Sequence, residues 1–485
     1  MRRLGIVILV GISLLTLNCA KHKEENLPLY VEINDFVWKG MNSYYLWQDS
    51  IPNLADNRFS SQNELNSFLE DYNEPEDLFY DLRYKPDEVD KWSWIVDDYV
   101  ALEQYFSGFR KTSGAKLKLY LLAEGSDEIY GVVRYVLPDT DAASKSIERG
   151  AVFRSVNGVN LNRSNYKDLL YNSASFTLNL GLIDLSSGSV EIIATGEDVE
   201  LENGEYIENP VFKKSIIEID GNNVGYLMYN SFTANYNNQL NDAFQYFNAA
   251  GVTDLVLDLR YNGGGSVQTA IYLSGMITGQ FEGQVFTKEQ WNSKMQEWLL
   301  DNHPEWLVNK FTNTMSDGTA LNTLNLNRVI VITTKDSASA SELVINALKP
   351  YIDVVTVGTT THGKYVASVT LYDSDNFGRE GANPDHLFAI QPIVLKELNS
   401  VGEYAQNGFE PTVFFPENIA NMGELGTASD PLTFAALSYI SGTMIRSSVS
   451  SNSYKPINTT INTLENEMYI SRDMNLKERE SFFSK

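Results

Sequence analysis

The chain is poor in cysteine, histidine and basic residues, and each shortage removes a class of function. It holds one cysteine, Cys19, in 485 residues, so no disulfide can form within it and core packing must hold the fold together. Four histidines, His22, His303, His362 and His386, are scattered without ligand spacing. The sequence therefore predicts no metal and gives no sign of a cofactor. Lys and Arg number 37 against 63 Asp and Glu, a formal net charge of −26 with no basic cluster. That excludes nucleic acid as a partner, because its binding rests on clustered positive charge. Long apolar runs are scarce too: the stretch Leu4 to Leu17 is too short for an ordinary transmembrane helix. What is present suits globular domains, with 43% hydrophobic and 21% charged residues in a chain long enough for two or three cores.

Three short stretches carry chemistry. The apolar run Val329-Ile330-Val331-Ile332 leads into Ser337-Ala338-Ser339-Ala340-Ser341-Glu342 and then into the helix-like Leu343 to Leu348, which reads as strand, small-residue turn and helix start. Lys364 closes Thr359-Thr360-Thr361-His362-Gly363-Lys364, just after the β-branched run Val354-Val355-Thr356-Val357 and 25 residues after Ser339. If the two strands are parallel neighbours, their ends converge. A serine hydroxyl is a weak nucleophile until a base takes its proton, and a buried amine can do so. Ser339-x-x-Glu342 is also a capping box, in which the serine merely begins a helix. The third stretch, Asp254 to Leu259, reads as a buried strand running into Arg260-Tyr261-Asn262-Gly263-Gly264-Gly265 before a helical segment from Ser266. Such a glycine turn can aim backbone N–H groups at a developing oxyanion. A phosphate-binding reading fails because no Gly-Lys-Ser/Thr follows, and the dinucleotide fingerprint fails on spacing.

Taken together, Asp-Leu-Arg-x-Asn-Gly-Gly-Gly, Ser-Ala-Ser-Ala-Ser-Glu and Thr-x-Gly-Lys resemble the motifs of the C-terminal-processing (tail-specific) peptidase family. The resemblance implies Ser339 as nucleophile and Lys364 as general base. It draws an oxyanion hole from the N–H groups of Gly264 or Gly265 and of Ala340, with Glu342 and Thr361 in supporting positions. Some members complete a triad four residues after the lysine with glutamine, where this chain has Ser368, the candidate third member. Others carry aspartate eleven residues after the serine, where Pro350 stands. His362 invites a Ser-His reading, but the family spacing selects the lysine. The implied function is a serine endopeptidase acting on exported polypeptides, probed first through their C-terminal regions. The alternative is a lipid-anchored peptide-binding protein with an inactive peptidase fold. A crotonase-like reading of the glycine turn finds no coenzyme A site to go with it.

The organisation is that of a multidomain α+β chain. Residues 1–19, with a basic start, an apolar core and Cys19, resemble a bacterial lipoprotein signal, which implies lipidation at Cys19 and a place in the cell envelope. A charged tether, residues 20–30, follows. Residues 31–99 read as helical, with Phe36, Gly40, Tyr44 and Trp47 forming an aromatic stripe. Residues 100–205 change to short strands around the turn Asn157-Gly158 and resemble an inserted PDZ domain, whose peptide site is expected near Gly108, Phe109 and Arg110. Residues 212–442 are expected to form an α/β, ClpP/crotonase-like catalytic core. Within it the tryptophan-bearing segment Gly279 to Asn327 reads as a lid or groove wall with little strand pattern. Residues 443–485 are expected to be loose, with a short helix around Leu464 to Tyr469.

Overall fold

Alternate residues of the β-branched stretches point to opposite faces, and this period sets the main sheet between two helical layers. In the computed structural model, which describes residues 27–187, 189–443, 454–457 and 468–470, that sheet has six strands. Their order is Val211–Ile219, Asn222–Tyr229, Asp254–Asp258, Arg328–Thr333, Asp353–Gly358 and Val413–Phe414. The first pair is antiparallel and every later pair is parallel. Leu227, Leu255, Leu257, Val329 and Val331 share one core cluster with residues of the helices Asn237–Ala249, Val267–Thr278 and Ala340–Leu348. Tyr226, Met228, Val256, Ile330 and Ile332 pack instead with the helix Pro431–Ile440. Because Arg328–Thr333 and Asp353–Gly358 are parallel neighbours, with Ile330 opposite Val355, their carboxyl ends emerge side by side.

The second sheet overturns one expectation. Its order is Gly265–Ser266, Met468–Tyr469, Val366–Ser368, Ile393–Asn399, Val285–Trp291 and Val308–Lys310. The segment Gly279–Asn327 thus contributes two strands, Val285–Trp291 pairing with Ile393–Asn399 from Thr287 opposite Asn399 to Trp291 opposite Leu395. The polar residues Lys288, Glu289 and Gln290 hide this strand from a local reading, since its partner lies far along the chain. The segment is a wall: Met295 and Trp298, on the helix Ser293–Asn302, are buried in the core cluster that includes the first helix. Of the expected short helix at Leu464–Tyr469 only Met468–Tyr469 lies among the described residues, and it forms a strand held on both sides. The expected signal peptide with Cys19, the tether as far as residue 26 and most of the tail lie outside the described residues.

The first helix, Leu29–Tyr44, buries Ile33, Phe36, Val37, Gly40, Met41 and Tyr44. Each large apolar side chain buried this way contributes about 1.5–3 kcal/mol. Packing is close at Gly40, where a Cβ would lie 2.7 Å from Ile390 Cδ1. Trp47 lies beyond the end of this helix. Helices Gln62–Leu69 and Pro75–Asp81 follow, and the region then enters the strand Trp94–Val96, which pairs with Ala389–Gln391.

Residues from Ala115 onward form an antiparallel sheet in the order Ala115–Leu121, Ile129–Val136, Val152–Val156, Ser175–Asp184 and Glu191–Glu202. Its core includes Leu119, Ile129, Val133, Phe153 and Leu178 with Tyr166 and Leu170 of the helix Tyr166–Leu170. Asn157 and Gly158 both have positive φ, 53° and 76°, as the two-residue hairpin between Val152–Val156 and Val159–Asn160 demands. Among the described residues no helix is long and apolar enough to cross a membrane.

Candidate active site

Three serines in one small-residue run have three different environments. The Ser337 hydroxyl donates to the Leu259 carbonyl at 2.8 Å, and the Ser341 hydroxyl donates to the Asn262 carbonyl at 2.9 Å. These bonds tie the turn to the end of Asp254–Asp258. The middle residue, Ser339, is buried and forms the expected capping box with Glu342, and among the described residues its Oγ has no hydrogen-bond partner beyond that box. Ser339 also stands at φ 64°, ψ −117°, at the sharp junction with the helix Ala340–Leu348. That conformation is strained for a residue with a side chain, at about 1–3 kcal/mol, and it persists only because the surrounding bonds over-determine it.

Glu342 supplies those bonds on the helix side. One carboxylate oxygen accepts the Ser339 N–H at 3.0 Å and the Lys364 N–H at 2.8 Å, while the other accepts the Gly363 N–H at 2.7 Å and the Thr361 hydroxyl at 2.5 Å. One buried carboxylate therefore fixes the backbone at both Ser339 and Lys364. Burial raises the Glu342 carboxyl above its ordinary range, against the hydrogen bonds it accepts from Thr361, Gly363, Ser339 and Lys364, which favour its charged form. Ser339, Glu342, Lys364, Tyr365, Glu397 and Phe409 line one small cavity, and Lys364 is only 1% exposed.

The glycine turn closes over the serine. Asn262 organises it by donating to the Tyr229 carbonyl at 2.8 Å and accepting the Gly264 N–H at 2.9 Å. The Gly264 N–H is taken by Asn262, and Gly265 lies on the strand paired with Met468, which leaves the N–H groups of Gly265 and of Ala340 as the expected oxyanion donors. Ala340 is the first residue of its helix, and its N–H has no intrahelical acceptor. Gly264 has a steric role instead. It sits at φ 119°, and a Cβ there would lie 2.6 Å from Ser339 Cβ and 2.8 Å from Oγ. Gly264→Ala is expected to displace the serine and lower kcat at least about a hundredfold, with an unchanged circular dichroism spectrum. Turnover near the parent level would refute this steric assignment.

The remaining expected residues stand on several elements. Ser368 is buried on Val366–Ser368, four residues beyond Lys364, and its carbonyl accepts the Ile470 N–H at 3.2 Å. His362 donates its backbone N–H to the Ser337 carbonyl at 3.0 Å. Burial, then the Lys335 charge, push its imidazole below the ordinary histidine range. Gly108, Phe109 and Arg110 begin a separate two-stranded ribbon, Phe109–Thr112 with Gly204–Ile207. The Arg110 guanidinium donates to the carbonyls of Tyr105 and Phe109 and lies 3.7 Å from the Tyr105 ring centroid. The open edge of the larger sheet is the next strand, Ala115–Leu121.

Two acidic residues escaped the sequence reading. Glu397, 1% exposed, reaches the cavity of Ser339 and Lys364 from Ile393–Asn399. A charged residue at an inward position of an apolar alternating strand was its only signal. Asp336, three residues before Ser339, pairs with Lys118 at 3.0 Å and with Arg134, both on strands of the neighbouring β-rich domain. Burial would raise the Asp336 carboxyl, but Arg134 and then Lys118 outweigh it and hold the group well below the usual range.

A buried serine at a strained strand-to-helix turn, a glycine turn against it and a buried lysine in the same cavity make an arrangement compatible with a serine-type hydrolase site. Comparison with known proteins narrows the class: residues 32–94 match the Peptidase S41 N-terminal domain and residues 223–378 match Peptidase family S41. In these two regions the chain is similar to the S41 serine peptidases. The carboxyl-terminal-processing protease of Picosynechococcus sp. is 24% identical over 278 residues, 56% of this chain and 60% of that protein. The carboxy-terminal processing protease CtpA of Bacillus subtilis is 25% identical over 198 residues, 40% of this chain and 36% of that protein. The matched spans thus take in less than two thirds of either relative. A crystal structure of a Bacteroides fragilis protein assigned to the S41 proteases superposes with a TM-score of 0.64 at 26% identity, over 84% of this chain and 97% of that one.

Proposed function

We propose that the chain is a serine endopeptidase of the C-terminal-processing type that cleaves exported polypeptides. The observation that carries this reading is the Glu342 carboxylate, which holds the backbone of Ser339 and of Lys364 at one buried cavity. Ser339 Oγ attacks the scissile carbonyl carbon while neutral Lys364 Nζ takes the hydroxyl proton. The oxyanion that forms faces the N–H groups of Gly265 and Ala340, at the start of a helix that favours negative charge. Collapse breaks the C–N bond, the lysine ammonium returns its proton to the leaving amine, and an acyl ester remains on Ser339. Water then attacks the ester with Lys364 again as base, releasing the new carboxyl terminus. Ser368 and Glu397 are the candidates for orienting the amine, and Thr361 acts through Glu342.

The β-rich domain is read as a PDZ-like module that receives the substrate chain as an added strand. The Asp336 ion pairs with Lys118 and Arg134 link that module to the serine turn. A lipid anchor at Cys19 would keep the enzyme in the cell envelope. The test is labelling with a serine-reactive phosphonate: one adduct per parent chain, none on Ser339→Ala, at a rate that rises with pH because only the neutral amine accepts the proton. A parent chain that is never labelled, under conditions where a control serine hydrolase is, would sink the reading and leave a peptide-binding protein.

A further inference from the structure

The chain's own C-terminal segment lies on two surfaces that an incoming polypeptide would need. Residues 454–457 run along the open edge of the β-rich domain. The Leu121 N–H donates to the Lys455 carbonyl at 2.8 Å, the Ile457 N–H donates to the Leu119 carbonyl at 3.0 Å, and Pro456 stands opposite Tyr120 in antiparallel register. Ile457, 6% exposed, is buried in the cluster that holds Leu119, Tyr166 and Leu170, between the edge strand and the helix Tyr166–Leu170. Further along, Met468–Tyr469 lies parallel between Gly265–Ser266 and Val366–Ser368, with Gly265 opposite Met468 and Ser368 opposite Tyr469. The Tyr469 ring packs on Phe106 at 4.7 Å between centroids. This second position is flanked by the glycine turn on one side and by the strand that follows Lys364 on the other.

We infer that the groove beside Ala115–Leu121 and the slot between Gly265–Ser266 and Val366–Ser368 form one track for an extended polypeptide, and that residues 454–457 and 468–470 occupy it in cis. The inference rests on the peptidase reading for its consequence, but not for its geometry. Backbone pairing makes both positions tolerant of sequence, and the Ile457 pocket selects a β-branched or large aliphatic side chain. The fitting substrate is an unstructured chain with such a residue upstream of the cleaved bond. It must displace the tail, which, being part of the same chain, competes intramolecularly. Competition of this kind raises KM and leaves kcat nearly unchanged.

The test uses the full chain. In a Ser339→Ala background, a fluorescent synthetic peptide with the sequence of residues 454–470 is titrated against the chain with its native tail, against Ile457→Asp and against Ile470→Asp. Both tail variants are expected to bind the peptide at least about tenfold more tightly, because the competing segment is weakened. With Ser339 intact, the same two changes are expected to lower KM for an unstructured polypeptide by about the same factor. Ile470→Asp keeps the test decisive if Ile457→Asp perturbs the β-rich core. Equal peptide binding by the native-tail chain and both variants overturns cis occupancy. Altered binding without any turnover refutes only the peptidase reading, and turnover with unaltered binding and KM refutes only this inference.

Discussion

Replacing Lys364 by alanine is expected to lower kcat for peptide cleavage by at least about a thousandfold, as loss of a base from a serine-hydrolase site does. Lys364 is 1% exposed and lines the same small cavity as Ser339. Its backbone is held by the same carboxylate that holds the serine. Lys364→Met, which keeps the volume and removes the proton acceptor, is expected to be equally inactive, so the loss cannot be assigned to a cavity. His362→Asn is the contrasting variant. Its imidazole is pushed down first by burial and then by the Lys335 charge, and its backbone is anchored to the Ser337 carbonyl. It is expected to retain activity within about tenfold, and its removal should leave the rise of rate with pH in place, because the proposed mechanism assigns that rise to the lysine. Measured kcat values for the three variants decide the matter. A Lys364→Met chain that cleaves peptides at near the parent rate, or an inactive His362→Asn chain with normal Lys364 variants, would overturn the assignment.

What could be read in the sequence divides along the range of the interactions. The serine turn was legible because it is local: a β-branched strand, small residues and a helix start stand within twenty residues, and the hydroxyls of Ser337 and Ser341 hold it to the next strand over short reach. The aromatic face of the first helix was legible for the same reason, since Phe36, Gly40 and Tyr44 follow its period. Glu397 was not, because only the pairing of Ile393–Asn399 with Val366–Ser368 brings it to the cavity. The loss of Gly264 as a donor turns on one side chain, Asn262, whose carboxamide could not be oriented without the fold. Met468–Tyr469 has no strand pattern of its own. Its partners on both sides come from distant parts of the chain, so a local reading favoured a helix.

Arg260 is expected to be the most sensitive position for stability, Arg260→Met destabilising the catalytic domain by about 3–5 kcal/mol in urea unfolding at neutral pH. Its guanidinium is fully buried and bonds Asp258 at 2.9 Å through Nε and Asp430 at 3.0 and 2.5 Å through its two terminal nitrogens. Glu417 lies 3.3 Å away and also takes Arg149 at 2.8 Å. Asp430 in turn caps the helix Pro431–Ile440 by accepting the Thr433 N–H. Methionine would leave Asp258 and Asp430 buried without their cation, and an uncompensated buried charge is far more damaging than the pair was helpful. The pH dependence follows from the carboxylates. Burial alone would raise Glu417 and Asp430, but Arg149 then Arg260 lower Glu417, and Arg260 lowers Asp430, so both sit below the ordinary range. A depressed folded pKa gives stability that is fully present above the unfolded value of about 4 and is lost as pH falls through the folded value. The gap between parent and Arg260→Met should therefore narrow as the solution is acidified below about pH 4. Activity should fall further than stability, because Arg260 directly precedes the glycine turn and its carbonyl accepts the Thr334 hydroxyl at the start of the serine loop. A loss under about 1 kcal/mol, the scale of an ordinary surface ion pair, would mean that the buried network does not hold this turn in place.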